Sequence, residues 1–509
     1  MTSTSPIPLL FAGDLLPRLD ALASDKRRVI CEDAAPDSRF ALIDTFDGAI
    51  SAAGMLLLSD GESWHLLQPA GPALRQHATE PGFPDALPEG PVTEALRPVL
   101  SPLRRLLVQG TGTAAHHGLR LVDDLDKTLV RGELWRLEAE DRVASLLLLR
   151  PLRGYDKALD RLRGDLDRLE ALSATDAAGL RGRLGAEAVP YTSKPEIGMA
   201  PDETAFRAAC DIIATHLAVA RRNEPGTIAD LDTEFLHDYR VALRRVRSVV
   251  SLFKGVFSED QTQELKDRFG ALMAETGRLR DLDVYLIERD TYLELVPDAM
   301  RPGLERLFDM FAEERDAEQA RLAEHLQSEA YAKEIRKLQK LFDKPKKLER
   351  GPKAARSALE FARKLIWARY RKVCAKAAQI DAGTPDAVVH ELRIHCKKLR
   401  YLMEFFAPLF GKAEMKPLIK ALKRLQDNLG LFNDYSVQQA ELGAALDRLG
   451  ALKPAQRLEI ATSLGALLTV LDQRQRAERA RVVDSFARFD SPATRAGFAA
   501  LFHGKGGKR

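Results

Sequence analysis

The sequence is poor in cysteine, in aromatic residues and in long apolar runs. Its four cysteines, Cys31, Cys210, Cys374 and Cys396, are scattered and form no Cys-x-x-Cys pair. That excludes a disulfide framework and a zinc knuckle, and Cys210, Cys374 and Cys396 fit buried helical positions. Aromatic residues make up only 6% of the chain, and they do not interleave with its basic segments as a base-stacking platform requires. No run approaches the roughly 18 apolar residues of a membrane span. The N-terminus lacks the basic and apolar regions of a signal peptide. A reducing cytoplasm, without a membrane partner, is the expected setting.

What the chain does hold points to helices. Its 509 residues are enough for two to four domains with large cores. A composition of 45% hydrophobic and 30% charged residues, rich in Ala, Leu and Arg, favours helix. The net charge is only +3, but it is divided as −6 over 1–190, −10 over 191–330 and +19 over 331–509, with +15 inside 331–430 alone. A local field of that size suits a polyanion and does not by itself choose which one.

The most informative feature is a duplication. The segment His237-x-x-Arg240-Val-x-x-Arg244-Arg245-x-Arg247, closed by Phe253, returns 153 residues later as His390-x-x-Arg393-Ile-x-x-Lys397-Lys398-x-Arg400, closed by Phe406. Downstream, Gly277-x-x-Arg280-Asp281-x-x-Val284 meets Gly430-x-x-Asn433-Asp434-x-x-Val437 at the same offset. The repeat unit therefore spans at least two helices. At 100° per residue His237, Arg240, Arg244 and Arg247 fall within an arc of about 80°, opposite Leu243, Val246, Val250 and Phe253. His390, Arg393, Lys397 and Arg400 lie likewise opposite Cys396, Leu399, Met403 and Phe406.

Lys and Arg on an amphipathic helix ordinarily form a solvated face, but such a face tolerates acids and needs no fixed spacing. Two purely cationic stripes, each led by a His at the same position, point to a shared polyanion site. Neither His237 nor His390 has a carboxylate or Cys at ligand spacing, and His395 is five residues from His390, off its face. No metal is expected at either. Asp281 and Asp434 read as helix-end residues beside Arg or Asn partners, and Phe253 and Phe406 as core anchors. The roles of Trp367 and Tyr370 stay open.

Residues 1–160 differ from the rest. Short apolar stretches, Phe40–Ile43, Gly54–Leu58, Leu106–Val108 and Ala144–Leu149, are separated by Gly, Pro and Asp turns and read as strands. A charged helix from Asp156 to Leu172 follows. The linker is expected at 181–201, between an α+β domain over 1–180 and a helical region split into bundles at 202–350 and 351–509. Apolar periodicity places helices near 202–223, 230–254, 259–288, 298–326, 329–342, 353–380, 385–408, 414–432, 434–450 and 456–487.

The two His-led basic helices, with Leu425-Gln-Asp-Asn-Leu-Gly430 and Asn433-Asp434, resemble the CHAD domain, the conserved histidine α-helical domain, over about 200–509. The resemblance implies two pseudo-symmetric four-helix bundles with a basic cleft between them that binds inorganic polyphosphate. Arg and Lys would grip phosphate oxygens by charge-assisted hydrogen bonds and counterion release. Fragments at Ile43–Gly54, Gly61–Trp64 and Pro151–Tyr155 resemble the CYTH, or triphosphate tunnel, fold over about 1–175. The chain departs from that family's E-x-E-x-K strand, from its basic residues after the Ala-Ala-Gly turn and from its late acidic strand. A degenerate, non-hydrolytic tunnel-like β-barrel domain is therefore expected, with no catalytic residue and no cofactor.

The sequence thus predicts a polyphosphate-binding protein, a candidate for association with polyphosphate granules. Its expected contacts are Arg240, Arg244, Arg247, Arg393, Lys397 and Arg400, supported by His237, Arg245, His390 and Lys398. Two alternatives stand beside it. One is a triphosphatase working through the N-terminal domain, where Glu133, Glu138, Glu140 and Asp141 form the one local acidic cluster. The other is a generic polyanion or nucleic-acid binder, against which no groove-reading motif is found.

Overall fold

The computed structural model describes residues 6–503 apart from 25, 34–37, 78, 170–173, 187–190 and 382. It divides into two compact units, 1–192 and 193–509.

The first unit is built on ten antiparallel strands: β1 (Ile7–Phe11), β2 (Arg27–Cys31), β3 (Ser38–Thr45), β4 (Leu56–Ser59), β5 (Ser63–Leu67), β6 (Leu74–His77), β7 (Leu106–Asp123), β8 (Thr128–Ala139), β9 (Arg142–Pro151) and β10 (Ala174–Thr175). They run in the order β10-β1-β9-β8-β7-β3-β4-β5-β6, with β2 also on β7. Among the described residues β6 and β10 do not pair with each other, so the sheet is open rather than a closed barrel. Four helices accompany it: α1 (Ala49–Ala52), α2 (Pro91–Leu96), α3 (Asp156–Leu166) and α4 (Ala177–Arg183). Helix α3 ends six residues before the expected Leu172, and residues 170–172 lie outside the described set. So do residues 187–190 of the expected linker.

The sheet explains the apolar runs. A strand with one wet face alternates, whereas one covered on both faces reads as continuous apolar sequence. On β9, Leu146 and Leu148 pack with Trp135, Leu42 and the α4 residues Ala177 and Leu180. Leu147 and Leu149 pack on the other face with Leu119, Leu121 and the α3 residues Leu159 and Leu162. Strand β4 behaves alike, with Leu56 and Leu58 in the first of these clusters and Leu57 in a third with Trp64 and Val92.

The second unit is all helical: α5 (Ala205–Ile228), α6 (Thr233–Leu252), α7 (Glu259–Ala274), α8 (Gly277–Ile287), α9 (Arg289–Glu294), α10 (Arg301–Gln327), α11 (Glu329–Asp343), α12 (Ala358–Ala377), α13 (Asp386–Phe405), α14 (Lys412–Ala445), α15 (Pro454–Ala480), α16 (Val482–Phe489) and α17 (Pro492–Phe502). The first residues of α5 and α12, α6 and α13, α7 and α14, α10 and α15, and α11 and α16 are all 153 apart. The duplication therefore extends over almost the whole unit. The caps repeat as well, since Thr204 and Ser357 each accept the backbone N–H three residues on.

A pseudo-twofold axis runs between the copies. Ala205 N donates to Arg356 O at 2.8 Å and Ala358 N to Glu203 O at 2.7 Å, two bonds related by the same 153-residue shift. Phe253 and Phe406, the closing residues of the two motifs, stack on each other with centroids 4.9 Å apart and rings 12° from parallel. Around α10 and α15 the copies share one core, which joins Leu304, Leu307 and Phe308 to Ile460, Leu464 and Leu467. Glycine permits that approach: a Cβ on Gly303 would lie 2.5 Å from the Glu459 carbonyl oxygen. Gly226 does the same between α5 and α6, where a Cβ would meet the Phe235 ring at 2.2 Å.

Several boundaries differ from expectation. Helix α5 was expected to end at 223 but continues to Ile228 with Pro225 inside it, a residue that has no N–H to offer the carbonyl four residues back. A continuous helix over 259–288 is interrupted at Glu275 and Thr276, while the break expected between 432 and 434 is absent and α14 runs unbroken. Cys374, expected buried, is partly exposed, unlike Cys210 and Cys396.

Replacing Phe406 by Ala should cost about 3–5 kcal/mol in denaturant unfolding followed by helical circular dichroism, as should Phe253→Ala. The double variant should fall short of the sum by about 0.5–1.5 kcal/mol, since each ring is the other's partner. Additive losses would show that the rings stabilise the fold independently.

Candidate functional site

The stacked Phe253 and Phe406 hold the C-terminal ends of α6 and α13 together, and the two cationic stripes run back from that point. Arg244 stands nine residues before Phe253, and Lys397 nine before Phe406. The stripes meet. Burial, then the guanidinium groups of Arg393, Arg244 and Arg400, hold the Lys397 ammonium down at about 8, against a partial offset from Asp434. Three cations of the second copy and one of the first therefore share a single field. A cavity of ≈ 280 Å³ opens beside them, lined by His237, Arg244 and Arg245 of the first copy and Arg400, Tyr401 and Glu404 of the second, with Lys194 at its edge.

Each predicted residue has its own setting. Arg240 is half-buried and donates to Thr276 Oγ1 at 2.6 Å, with Met273 O at 3.5 Å. Its counterpart Arg393 donates to Asp434 at 3.2 Å. Arg244 and Arg247 are exposed, and Arg247 lies outside the cavity lining. Arg245 turns off the stripe, is buried, and pairs with Glu404 at 2.5 Å across the axis. Arg400 approaches the same carboxylate at 3.6 Å. His390 Nδ1 is 3.1 Å from Asn433 Oδ1 and its ring lies 5.0 Å from Phe432, while His237 lines the cavity. Lys398 stands apart, facing Arg369, Lys254 and Lys372.

Further participants come from α8. Arg280 and Asp281 lie in the field of Arg240, and burial together with Glu441 raises the Asp281 carboxyl above the ordinary range. Arg278 is neutralised by a two-pronged pair with Glu314 at 2.5 and 2.6 Å. Arg280 is not. Its Nη1, with Arg240 Nε and Arg400 Nε, is buried without a hydrogen-bond partner among the described atoms. Orphan donors on desolvated cations are costly unless an acceptor completes them. Asp434 is not the helix-end residue expected, because α14 runs through it. It pairs with Arg393 instead, while Asp281 lies in the field of Arg240. Arg280 could have been noticed in the repeated Gly-x-x-Arg-Asp element, where it read only as a partner for Asp281. Gly277 and Gly430 meet nothing within 4 Å where a Cβ would stand, so the repeated glycines keep open space beside this cluster.

The aromatic residues left open settle into packing. Tyr370 stacks on Phe498 at 4.0 Å, and Trp367 lies 4.7 Å from His503. In the first unit the acidic residues do not converge. Glu133 faces Arg150 at 3.7 Å, Glu138 binds Arg136 at 2.5 Å, and Glu140 occupies the β8–β9 turn at φ +53°. No group of three or more His, Cys, Asp or Glu suited to a metal ion occurs among the described residues. None of their helices is long and apolar enough to cross a membrane.

Lys397 offers a direct test of the shared field. Its folded value lies below the unfolded one, so between about pH 8 and the ordinary lysine range the unfolded chain holds the extra proton. Its contribution to stability therefore rises with pH through that window. In NMR of lysine-labelled protein Lys397 should titrate near 8, and Arg244→Gln should raise that value. Titration at the ordinary lysine position, indifferent to Arg244, would mean that the two copies do not share a field.

The sequence model of the CHAD domain matches residues 211–443. Among solved structures, the crystal structure of the CHAD domain from the plant Ricinus communis is 27% identical, covering 60% of this chain and 96% of that chain with a TM-score of 0.47. PptA from Streptomyces chartreusis is 16% identical, covering 56% of this chain and 99% of its own, with a TM-score of 0.43. No protein of curated function matches. The matched segment contains both His-led helices and both Gly-x-x-x-Asp elements, and residues 211–443 of this chain are a CHAD domain.

Proposed function

We propose that this protein binds inorganic polyphosphate in the cleft between α6 and α13, without chemical conversion. The observation that carries this reading is the convergence of the exposed Arg244 of one copy with the half-buried Arg393, Lys397 and Arg400 of the other, in one field around Lys397. Like charges held this way weaken a fold, and a polyanion reverses the cost by accepting charge-assisted hydrogen bonds from them, the orphan Nε of Arg400 included. A linear chain with one charge per phosphate suits a row of cations better than a compact anion does. The family of the domain is associated with the same ligand.

A non-hydrolytic first unit fits the packing of its sheet. The faces of β4 and β9 are filled by Leu56, Leu58, Leu146 and Leu148 against α4, and the expected acidic residues Glu133 and Glu138 face arginines. Association with polyphosphate granules follows as a role for a binder that neither cuts nor builds its ligand.

Calorimetric titration of long-chain polyphosphate into the full chain tests the reading. The triple replacement Arg244→Gln, Lys397→Met and Arg400→Gln should weaken binding at least about a hundred-fold, since each charge-assisted contact contributes about 1.5–3 kcal/mol. It should leave thermal stability equal or higher, because it relieves repulsion. Unchanged affinity would remove the cleft from the binding site. Duplex DNA should displace polyphosphate only in large excess; equal displacement would make the protein a general polyanion sink. Phosphate release from tripolyphosphate with magnesium or manganese should not exceed the buffer control.

A further inference from the structure

Helix α13 carries cations on two sides. Lys398 follows Lys397 directly and so points about 100° away from it, toward α12. There it meets Arg369 and Lys372, together with Lys254 from just beyond the end of α6. Burial and then these three cations lower the Lys398 ammonium, and no carboxylate offsets them. Arg369 is half-buried, and its Nη1 lies 2.9 Å from His395 Nδ1. Glu391, on the same helix, is engaged by Lys376 at 2.8 Å and stands 3.6 Å from the far side of the His395 ring.

The duplication shows that this cluster is not inherited from the repeat. Shifted back by 153 residues, Arg369, Lys372, His395 and Lys398 become His216, Val219, Ala242 and Arg245. In the first copy all four are buried. Arg245 is closed off by Glu404 at 2.5 Å, and burial next to Arg245 keeps His216 neutral, at about 3. The second copy replaces that closed arrangement with an open group of cations. Lys254 and Lys372 are exposed, and the group has its own uncompensated charge. Half-desolvated like charges persist at a cost to the fold, and an anion arriving between them offsets it.

We infer that the cluster of Lys254, Arg369, Lys372 and Lys398 is a second subsite for phosphate chains. It takes the part of a long polyphosphate that runs on from the cleft over α13. The inference rests on the polyphosphate reading of the cleft. Consecutive residues, Lys397 and Lys398, serve the two sites, so the chain has only one helix to cross, about 10–12 Å in diameter with its side chains. Once the cleft holds one end, the outer cluster meets the rest at high effective concentration. Chains too short to cross gain nothing, which makes the domain a selector of chain length.

The test compares the full chain with a Lys254→Gln, Lys372→Gln variant, whose two sites are exposed and outside the cleft, using tripolyphosphate and long-chain polyphosphate in the same buffer. A Lys333→Gln, Lys337→Gln variant on α11 controls for net charge. The outer variant should lose at least about ten-fold in affinity for long chains and nothing for tripolyphosphate, while the control keeps both. Long-chain affinity equal to wild type, equal losses for both ligands, or the same loss in the control would each overturn the second subsite. Failure of the unmodified protein to bind either ligand would instead overturn the reading of the cleft.

Discussion

The structure depends on one contact between copies, the stacking of Phe253 on Phe406. Each ring closes an amphipathic helix whose opposite face is cationic, so pairing the rings at the axis fixes where both cationic faces go. Apolar stacking is indifferent to charge and tolerates the neighbourhood it creates. The shared core of α10 and α15 and the paired backbone bonds at Glu203 and Arg356 hold the same axis from other sides. Repulsion among Arg244, Arg393, Lys397 and Arg400 is thereby opposed by contacts that do not involve those side chains.

That arrangement separates what stabilises the protein from what gives it function. Carboxylates are supplied where a cation must be held in place: Asp434 for Arg393, Glu404 for Arg245, Glu314 for Arg278. Single buried donors nonetheless remain without hydrogen-bond partners on Arg240, Arg280 and Arg400. Complete neutralisation would stabilise the fold and leave nothing for a polyanion to do. The depressed Lys397 ammonium marks the part of the surface where this imbalance is greatest.

Much of this was legible in the sequence. A period that aligns His237 with His390 and Phe253 with Phe406 without insertion gives the helices, the stripes and the apolar anchors. Local patterns could not say that the two anchors touch each other, because apolar periodicity identifies a buried face without naming its partner. The crossing of Arg245 to Glu404 was hidden for the same reason: the pair is 159 residues apart and joins unlike positions of the two copies. The interruption at Thr276 was missed although Gly277 follows it, because the matching Gly430 lies inside unbroken α14 and glycine alone does not mark the break. The Thr276 hydroxyl receives Arg240 from a different helix. In the first unit the Leu146–Leu149 run showed a strand, and only the sheet showed that both of its faces are covered.

The central claim is that two copies of one helix form a single anion site. Its most direct test is the salt dependence of polyphosphate binding by the full chain and by two variants, Arg244→Gln in the first copy and Arg400→Gln in the second. Each phosphate contact releases condensed counterions, so each lost cation should lower the slope of log affinity against log salt by about 0.7–1. The account predicts comparable losses from the two copies and a double variant with both losses combined. A slope that responds to one copy alone would contradict it.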